Sequence, residues 1–126
     1  MNKGILSVNG NKAMNYLLQT LFKQEFHFVP VADVYQAMHH LRTKKEFSAL
    51  VVDLDFHPQQ SWDLIQHIKS SKLYTLPVLV LTTENNDTLK KKCYELGVDE
   101  IFFKPFNPLD LIAAIKSTVD TKVLNH

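Results

Sequence analysis

Apolar residues along the chain follow two alternating patterns. Short, nearly continuous apolar runs are typical of strands that a sheet buries on both faces. Between these runs, apolar residues recur at helical spacing, as at Met14, Leu17, Leu18, Leu21 and Phe22. Strands that alternate with helices through short connections predict right-handed crossovers and a parallel sheet covered by helices on both faces.

The alternation predicts an α/β domain of five strands and five helices. The strands are predicted at residues 4–8, 26–31, 49–54, 76–81 and 100–103. The helices are predicted at about residues 12–22, 34–41, 62–69, 87–96 and 108–119. We expect one domain over residues 1–120 and a frayed tail over residues 121–126.

Several polar residues stand where a helix is predicted to begin. Asn11, Asp33, Ser61 and Asn107 each precede a helical pattern, and their side chains are of the type that caps a helix N-terminus. Pro30 lies inside the second predicted strand and cannot donate to a strand ladder, so we expect that strand at an edge of the sheet.

Composition narrows the functional class without naming one. The 126 residues carry a formal net charge of +1, which gives no reason to expect a nucleic acid or a membrane surface as partner. Cys93 is the sole cysteine, which excludes an internal disulfide and favours a reducing compartment. The sequence has no apolar run long enough to cross a bilayer and no recognisable signal peptide, so we expect a cytoplasmic protein.

Polar residues cluster at the predicted ends of the strands. Asp53, Thr82 and Lys104 follow three buried strands, and Asn9-Gly10 follows the first strand. Ligands of open parallel sheets bind beyond the carboxyl ends of the strands. We therefore expect these residues to share one site.

Three segments in this order and spacing identify a resemblance: VVDLD (residues 51–55), LPVLVLTTE (76–84) and ELGVDEIFFKPF (95–106). The sequence resembles the receiver domain of bacterial two-component response regulators over residues 3–119. The resemblance implies a flavodoxin-like (CheY-like) three-layer sandwich, with a five-stranded parallel sheet in the order 2-1-3-4-5. A receiver is a signalling protein in a phosphorelay and not an enzyme.

The resemblance also implies roles for the strand-end residues. Asp53 matches the aspartate that accepts a phosphoryl group, Thr82 the hydroxyl that binds a phosphoryl oxygen, and Lys104 the lysine that pairs with the acceptor. The peptide bond before Pro105 is expected to be cis, as it usually is in the family.

Asp55 is a rival to Asp53 as phosphoacceptor. Placing the acceptor at Asp55 would put Asp63 where the family has a small residue, which favours Asp53. Asp55 has a second interpretation, because the family contributes a backbone carbonyl to the metal at this position. Its carboxylate would then help Asp53 to hold the ion.

The end of the first strand departs from the family. Receivers carry two adjacent acidic residues there that hold Mg²⁺, and this sequence has Asn9 and Gly10. Mg²⁺ needs carboxylate oxygens, and it neutralises charge as a phosphoryl group approaches a carboxylate. Asp53 and Lys104 are expected to neutralise each other without an ion. We therefore expect Mg²⁺ binding, and phosphorylation that depends on it, to be weak or absent.

Three functional hypotheses follow. The first is an atypical single-domain receiver that acts by contact with a protein partner, either a histidine kinase or a downstream effector. Its predicted surface is the fourth helix, fifth strand and fifth helix, where Ile101 replaces the aromatic residue that often reports activation in the family. The alternative is a working receiver that a histidine kinase phosphorylates on Asp53. A flavodoxin-like enzyme or cofactor binder is a third class, but Asn9-Gly10-Asn11 lacks a phosphate-binding fingerprint.

Overall fold

Strands and helices alternate along the chain in the computed structural model, which describes residues 3–43 and 46–124, with side chains through residue 119. The strands are β1 (Lys3–Val8), β2 (Phe26–Val31), β3 (Phe47–Asp53), β4 (Val78–Thr82) and β5 (Glu100–Phe103). The helices are α1 (Lys12–Phe22), α2 (Val34–Thr43), α3 (Pro58–Ser70), α4 (Asp87–Leu96) and α5 (Pro108–Leu124).

The five strands form one parallel sheet in the order β2-β1-β3-β4-β5, which confirms the predicted fold class. Strand β2 lies at an edge, as Pro30 predicted. The chain runs outward from β1 to β2 and then returns past β1 to β3. The strand order therefore reverses between β1 and β3, whose carboxyl ends carry Asn9 and Asp53.

Each face of the sheet has its own apolar core. Helices α2, α3 and α4 cover one face, through residues that include Leu41, Leu64, Ile65, Ile68, Leu89 and Cys93. Helices α1 and α5 cover the other face, through residues that include Leu18, Phe22, Leu111, Ile112, Ile115 and Val119. Leu17 and Leu21 lie on the predicted apolar face of α1 but stay partly exposed at its margin.

Three of the four predicted capping residues cap their helices. The side chains of Asn11, Asp33 and Asn107 accept hydrogen bonds from backbone N–H groups two or three residues further along, at 2.9–3.0 Å. These bonds satisfy donors that a helix N-terminus leaves without a partner. Gly97 ends α4 with a φ of 84°, a left-handed conformation that costs glycine little.

The prediction that Ser61 caps the third helix is wrong. Helix α3 begins one turn earlier, at Pro58, whose ring fixes a helical φ and whose missing N–H costs nothing at the first helical position. Ser61 is a buried residue of the first turn, and its hydroxyl donates to the backbone carbonyl of Phe56 at 3.3 Å. His57 precedes the helix with a φ of 47°.

Several boundaries differ from the sequence prediction. Strand β3 begins at Phe47, two residues earlier than predicted, and β4 begins at Val78, two residues later. The backbone of α5 stays helical to Leu124, whereas a tail was predicted from residue 121. Residues 125–126 of that predicted tail lie outside the described residues. No helix in the described part of the chain is both long and apolar enough to span a bilayer.

Phe22 provides a test of the core between α1, α5 and the sheet. Its ring is fully buried and lies 5.3 Å from the ring of Phe28 and 5.6 Å from the ring of Phe26, centroid to centroid. We expect Phe22→Ala to lower the free energy of unfolding by about 3–5 kcal/mol, because it removes these contacts and leaves a cavity. Urea denaturation followed by circular dichroism measures the change.

The matched control is Tyr16→Ala on the same helix, since the Tyr16 side chain is 75% exposed. Its expected effect is within about 0.5 kcal/mol. Equal losses from the two substitutions would contradict this assignment of the core.

Candidate functional site

The carboxyl ends of the parallel strands bring the predicted site residues to one edge of the sheet. Asp53 is the last residue of β3 and Thr82 the last residue of β4, while Lys104 directly follows β5. The peptide bond between Lys104 and Pro105 is cis, as predicted. Asn9 follows β1 and is held to the neighbouring strand by a hydrogen bond from its N–H to the carbonyl of Val31.

Asp53 is buried and fully hydrogen-bonded. The residue exposes 1% of its surface, and its Oδ2 accepts a hydrogen bond from Nζ of Lys104 at 2.5 Å. Oδ1 accepts the backbone N–H of Asp55 at 2.8 Å. This second bond folds the chain back on itself directly after the strand, as an aspartate at the start of a turn commonly does.

The turn after β3 directs the carboxylate of Asp55 into the same site. Oδ2 of Asp55 lies 3.0 Å from Nζ of Lys104. The backbone N–H of Thr83 lies 3.1 Å from Oδ1 of Asp55 and 3.2 Å from Oδ2. The hydroxyl of Thr83 donates to Oδ1 at 3.1 Å. The hydroxyl of Thr82 lies 3.5 Å from Oδ1 of Asp55.

The carboxylate of Asp55 and the ammonium group of Lys104 each stabilise the ionised form of the other. Partial burial raises the pKa of Asp55, but the N–H of Thr83 and the ammonium group of Lys104 act more strongly and bring that pKa below its ordinary value. Burial lowers the pKa of Lys104, but hydrogen bonds and charge attraction from Asp53 and Asp55 outweigh it and raise the pKa.

The charge balance of the site differs from the one predicted. Sequence reasoning paired Asp53 with Lys104 alone and expected the two to cancel. The structure adds Asp55, so that one ammonium group holds two carboxylates. The prediction failed because Asp55 was considered as a rival acceptor or a metal ligand, and not as a second partner of the lysine.

The end of β1 contributes the side-chain amide of Asn9 and, at Gly10, a residue without a side chain. Asn9 is buried, and its Oδ1 accepts the N–H of Asn11 at 2.8 Å. Its Nδ2 has no hydrogen-bond partner among the described residues. At Gly10, a Cβ atom would lie 3.2 Å from the ring of Phe56, which therefore fills the space where a side chain at position 10 would begin.

Thr82 and Ile101 both pack within the fold at the sheet edge. The hydroxyl of Thr82 accepts the N–H of Glu84 at 3.0 Å, which stabilises the turn after β4. Ile101 is half-buried against the core beneath α2, α3 and α4. The neighbouring rings point to opposite faces, since Phe102 packs toward α5 and Phe103 toward α4.

Sequence reasoning missed two contributors to the site. Thr83 was given no role, although it supplies two of the donors to Asp55. Phe56 was not considered at all. The spacing Asp-x-Asp at the end of a buried strand was the available signal for Asp55, whereas the contact between Phe56 and Gly10 depends on the fold.

The fold and the site together define a doubly wound α/β domain with an aspartate and a lysine at the strand ends. Known structures share this architecture. Chemotaxis protein CheY4 of Vibrio cholerae has a TM-score of 0.82 at 20% identity, covering 94% of this chain and 99% of that one. The receiver domain of Francisella response regulator 1452 has a TM-score of 0.86 at 18% identity, covering 96% and 99%.

Sequence comparison shows the family. Residues 5–116 match the response regulator receiver domain, and the chain belongs to this family of two-component signalling proteins. The regulatory protein VanRc of Enterococcus gallinarum is 30% identical over 118 residues, which are 93% of this chain and 50% of that protein. Response regulator GtcR of Aneurinibacillus migulanus is 28% identical over 93% of this chain and 48% of its own length. The chain thus spans about half the length of these curated relatives.

The residues at the site do not fit the Mg²⁺ ion that the family implies. Asn9 offers a neutral amide where the family has a carboxylate, with Oδ1 already accepting one backbone N–H, and Gly10 offers no side chain. The cavity beside Asn9, Gly10, Asp53 and Phe56 has a volume of about 10 Å³, about enough for one water. The described residues contain no group of three or more His, Cys, Asp or Glu side chains able to hold a metal ion.

The pKa of Asp55 makes a prediction about stability and pH. Because the folded-state pKa lies below the ordinary value of about 3.9, the ionised carboxylate stabilises the fold above that pH. This contribution is lost as pH falls through the folded-state pKa. We expect Asp55→Asn to lower the free energy of unfolding by about 1 kcal/mol at pH 7, and by progressively less below about pH 4.

Urea denaturation of both proteins at several pH values measures the difference. Asp63→Asn is the matched control, because Asp63 is exposed and its carboxylate accepts a hydrogen bond from the side chain of Gln59 on the same helix. A loss for Asp55→Asn that stays constant from pH 7 to pH 3 would contradict the prediction.

Proposed function

We propose that this receiver domain is atypical: it responds weakly or not at all to phosphodonors and acts through contact with a protein partner. Asp53, Thr82 and Lys104 are the residues we assign to the phosphoacceptor site. The observation that carries the proposal is the composition of the site at the end of β1. The neutral amide of Asn9 and a glycine covered by the ring of Phe56 stand where the family has two carboxylates.

The chemistry of phosphoryl transfer explains why this composition matters. A phosphoryl group that approaches Asp53 brings further negative charge toward a carboxylate that is already ionised. Cations neutralise that charge in phosphoryl-transfer sites, and removing one lowers the rate severely. Here the available cation is Lys104, and Asp53 and Asp55 already share it.

The proposed partner surface consists of α4, β5 and α5. Helix α4 carries three consecutive lysines, of which Lys90 lies over the ring of Phe103 at 5.5 Å and Lys92 over the ring of Trp62 at 4.3 Å. Tyr94 on the same helix exposes 85% of its surface and is available for contact with a partner. A histidine kinase or a downstream effector is the proposed partner.

A second candidate function is a receiver that a histidine kinase phosphorylates on Asp53. The observation in its favour is the retained contact between Asp53 and Lys104, with a hydroxyl of Thr82 at the end of the adjacent strand. In this alternative Asp55 would help Asp53 to hold a Mg²⁺ ion. Lys104 would then have to release Asp55, because both carboxylate oxygens of Asp55 already accept hydrogen bonds or an ion pair.

The proposal assigns no enzymatic activity, because signalling by contact needs no turnover of a substrate. It places the protein in the cytoplasm. Cys93 is consistent with a reducing compartment, since it is a free thiol inside the core and burial raises its pKa to about 11.

Phosphorylation is tested by incubation with acetyl phosphate and Mg²⁺, followed by intact-mass measurement. We expect no prompt gain of one phosphoryl group, because the charge on Asp53 is not neutralised by a divalent ion. The control is Asp53→Asn, which removes the acceptor and should give the same spectrum. A rapid mass gain that needs Mg²⁺ and is abolished by Asp53→Asn would refute the proposal and support the alternative.

A further inference from the structure

Four donor groups from two strand ends converge on the carboxylate of Asp55. They are the ammonium group of Lys104 at 3.0 Å, the N–H of Thr83 at 3.1–3.2 Å, the hydroxyl of Thr83 at 3.1 Å and the hydroxyl of Thr82 at 3.5 Å. We name these four groups the anion cradle. A cation, an amide N–H and hydroxyl groups in one place are typical of sites that bind an oxyanion.

The backbone holds Asp55 over the anion cradle. The N–H of Leu54 donates to the carbonyl of Leu81 at 2.9 Å, and the N–H of Asp55 donates to Oδ1 of Asp53 at 2.8 Å. These two bonds fix the backbone that leads into Asp55, up to its amide nitrogen. The side chain of Asp55 is 24% exposed, so its carboxylate is partly withdrawn from water.

A phosphoryl group on Asp53 would need the same donors. It would extend from Oδ2 of Asp53, the oxygen that accepts the hydrogen bond from Lys104. Its own oxygens would require cations or N–H and O–H donors. Lys104 and Thr82 are the groups assigned above to that role. Both now face the carboxylate of Asp55.

We propose that the carboxylate of Asp55 is a built-in ligand of the anion cradle, where it takes the place that a phosphoryl group would occupy. The proposal rests on the proposed function, since it explains how an atypical receiver is held in one state. The occupant is part of the chain, so neither a phosphodonor nor a metal ion is needed.

The consequence is a fixed turn between β4 and α4. Asp55 holds Thr83, and the hydroxyl of Thr82 holds the N–H of Glu84 at 3.0 Å. Asn86 then caps α4 through the N–H of Leu89 at 2.8 Å. The turn leads directly into the helix of the proposed partner surface, which Asp55 thereby stabilises in one position.

Hydrogen exchange of the Thr83 amide, measured by NMR in EDTA without a phosphodonor, tests the proposal. Every protein in the comparison carries Asp53→Asn, which removes the acceptor and one competing negative charge. We expect the further change Asp55→Ala to speed exchange at Thr83 about tenfold, the factor that corresponds to losing one charge-assisted hydrogen bond. Inorganic phosphate should restore slow exchange in this variant and leave the Asp53→Asn parent unchanged.

Two further variants complete the design. Asp63→Ala in the same background removes an exposed carboxylate from α3 and should not alter exchange at Thr83. If Asp55→Ala does not fold, Asp55→Asn replaces it. That variant keeps the shape of the side chain but loses the charge, so it should also exchange faster than the parent and slow on addition of phosphate.

Three results would overturn the proposal. Exchange at Thr83 could be equal with and without Asp55, phosphate could slow exchange to the same extent in both, or phosphate could act on neither. None of these results depends on phosphorylation, because Asp53 is absent and no phosphodonor is added. The mass experiment can therefore fail while this one succeeds, and the reverse also holds.

Discussion

The position of the Lys104 ammonium group between two carboxylates is the interaction on which the site depends. Asp53 and Asp55 come from the end of β3, and Lys104 comes from the end of β5, so the three side chains connect strands that β4 separates. Without the lysine, a buried carboxylate would stand beside a half-withdrawn one with no cation between them. Breaking a buried pair by removing one partner typically costs about 3–5 kcal/mol. The ion cluster is thus a structural element as well as a candidate functional one.

The same cluster explains how the domain tolerates an end of β1 without acidic residues. In a site that relies on a divalent ion, the carboxylates repel one another until the ion binds. Here Lys104 is the cation that attracts both carboxylates, and the ring of Phe56 covers the space above Gly10. Asn9 adds a buried amide that carries no charge. The site is therefore more nearly complete without a metal ion than a three-carboxylate site would be.

Much of this structure could be predicted from local pattern. The alternation of strands and helices, the edge position of the strand with Pro30 and the caps at Asn11 and Asp33 depend on a few neighbouring residues and on general rules of chain connection, whereas the strand order was implied by the family resemblance. The early start of α3 was missed because two N-terminal signals competed, and a proline at the first helical position prevailed over a serine one turn later.

The details of the site were less accessible. The contacts of Asp55 with Thr83 and of Phe56 with Gly10 join segments that are distant in sequence, and they depend on turn geometry at the end of β3. Residue type alone left two roles open for Asp55, phosphoacceptor and metal ligand. The turn that Asp53 forms with the N–H of Asp55 directs the second carboxylate to the lysine, a contact that residue type did not predict.

The central proposal is that Asp53 and Asp55 share Lys104 as their cation and that the site binds Mg²⁺ weakly or not at all. A titration with Mg²⁺, followed by the NMR shifts of the amides of Asp53–Phe56, tests it most directly. The comparison is with a variant that combines Asn9→Asp, Gly10→Asp and Phe56→Ala, which restores two carboxylates and the space they need. The account predicts saturable shifts in the variant and none in the natural sequence. Saturation of the natural sequence at the same Mg²⁺ concentration as the variant would contradict it.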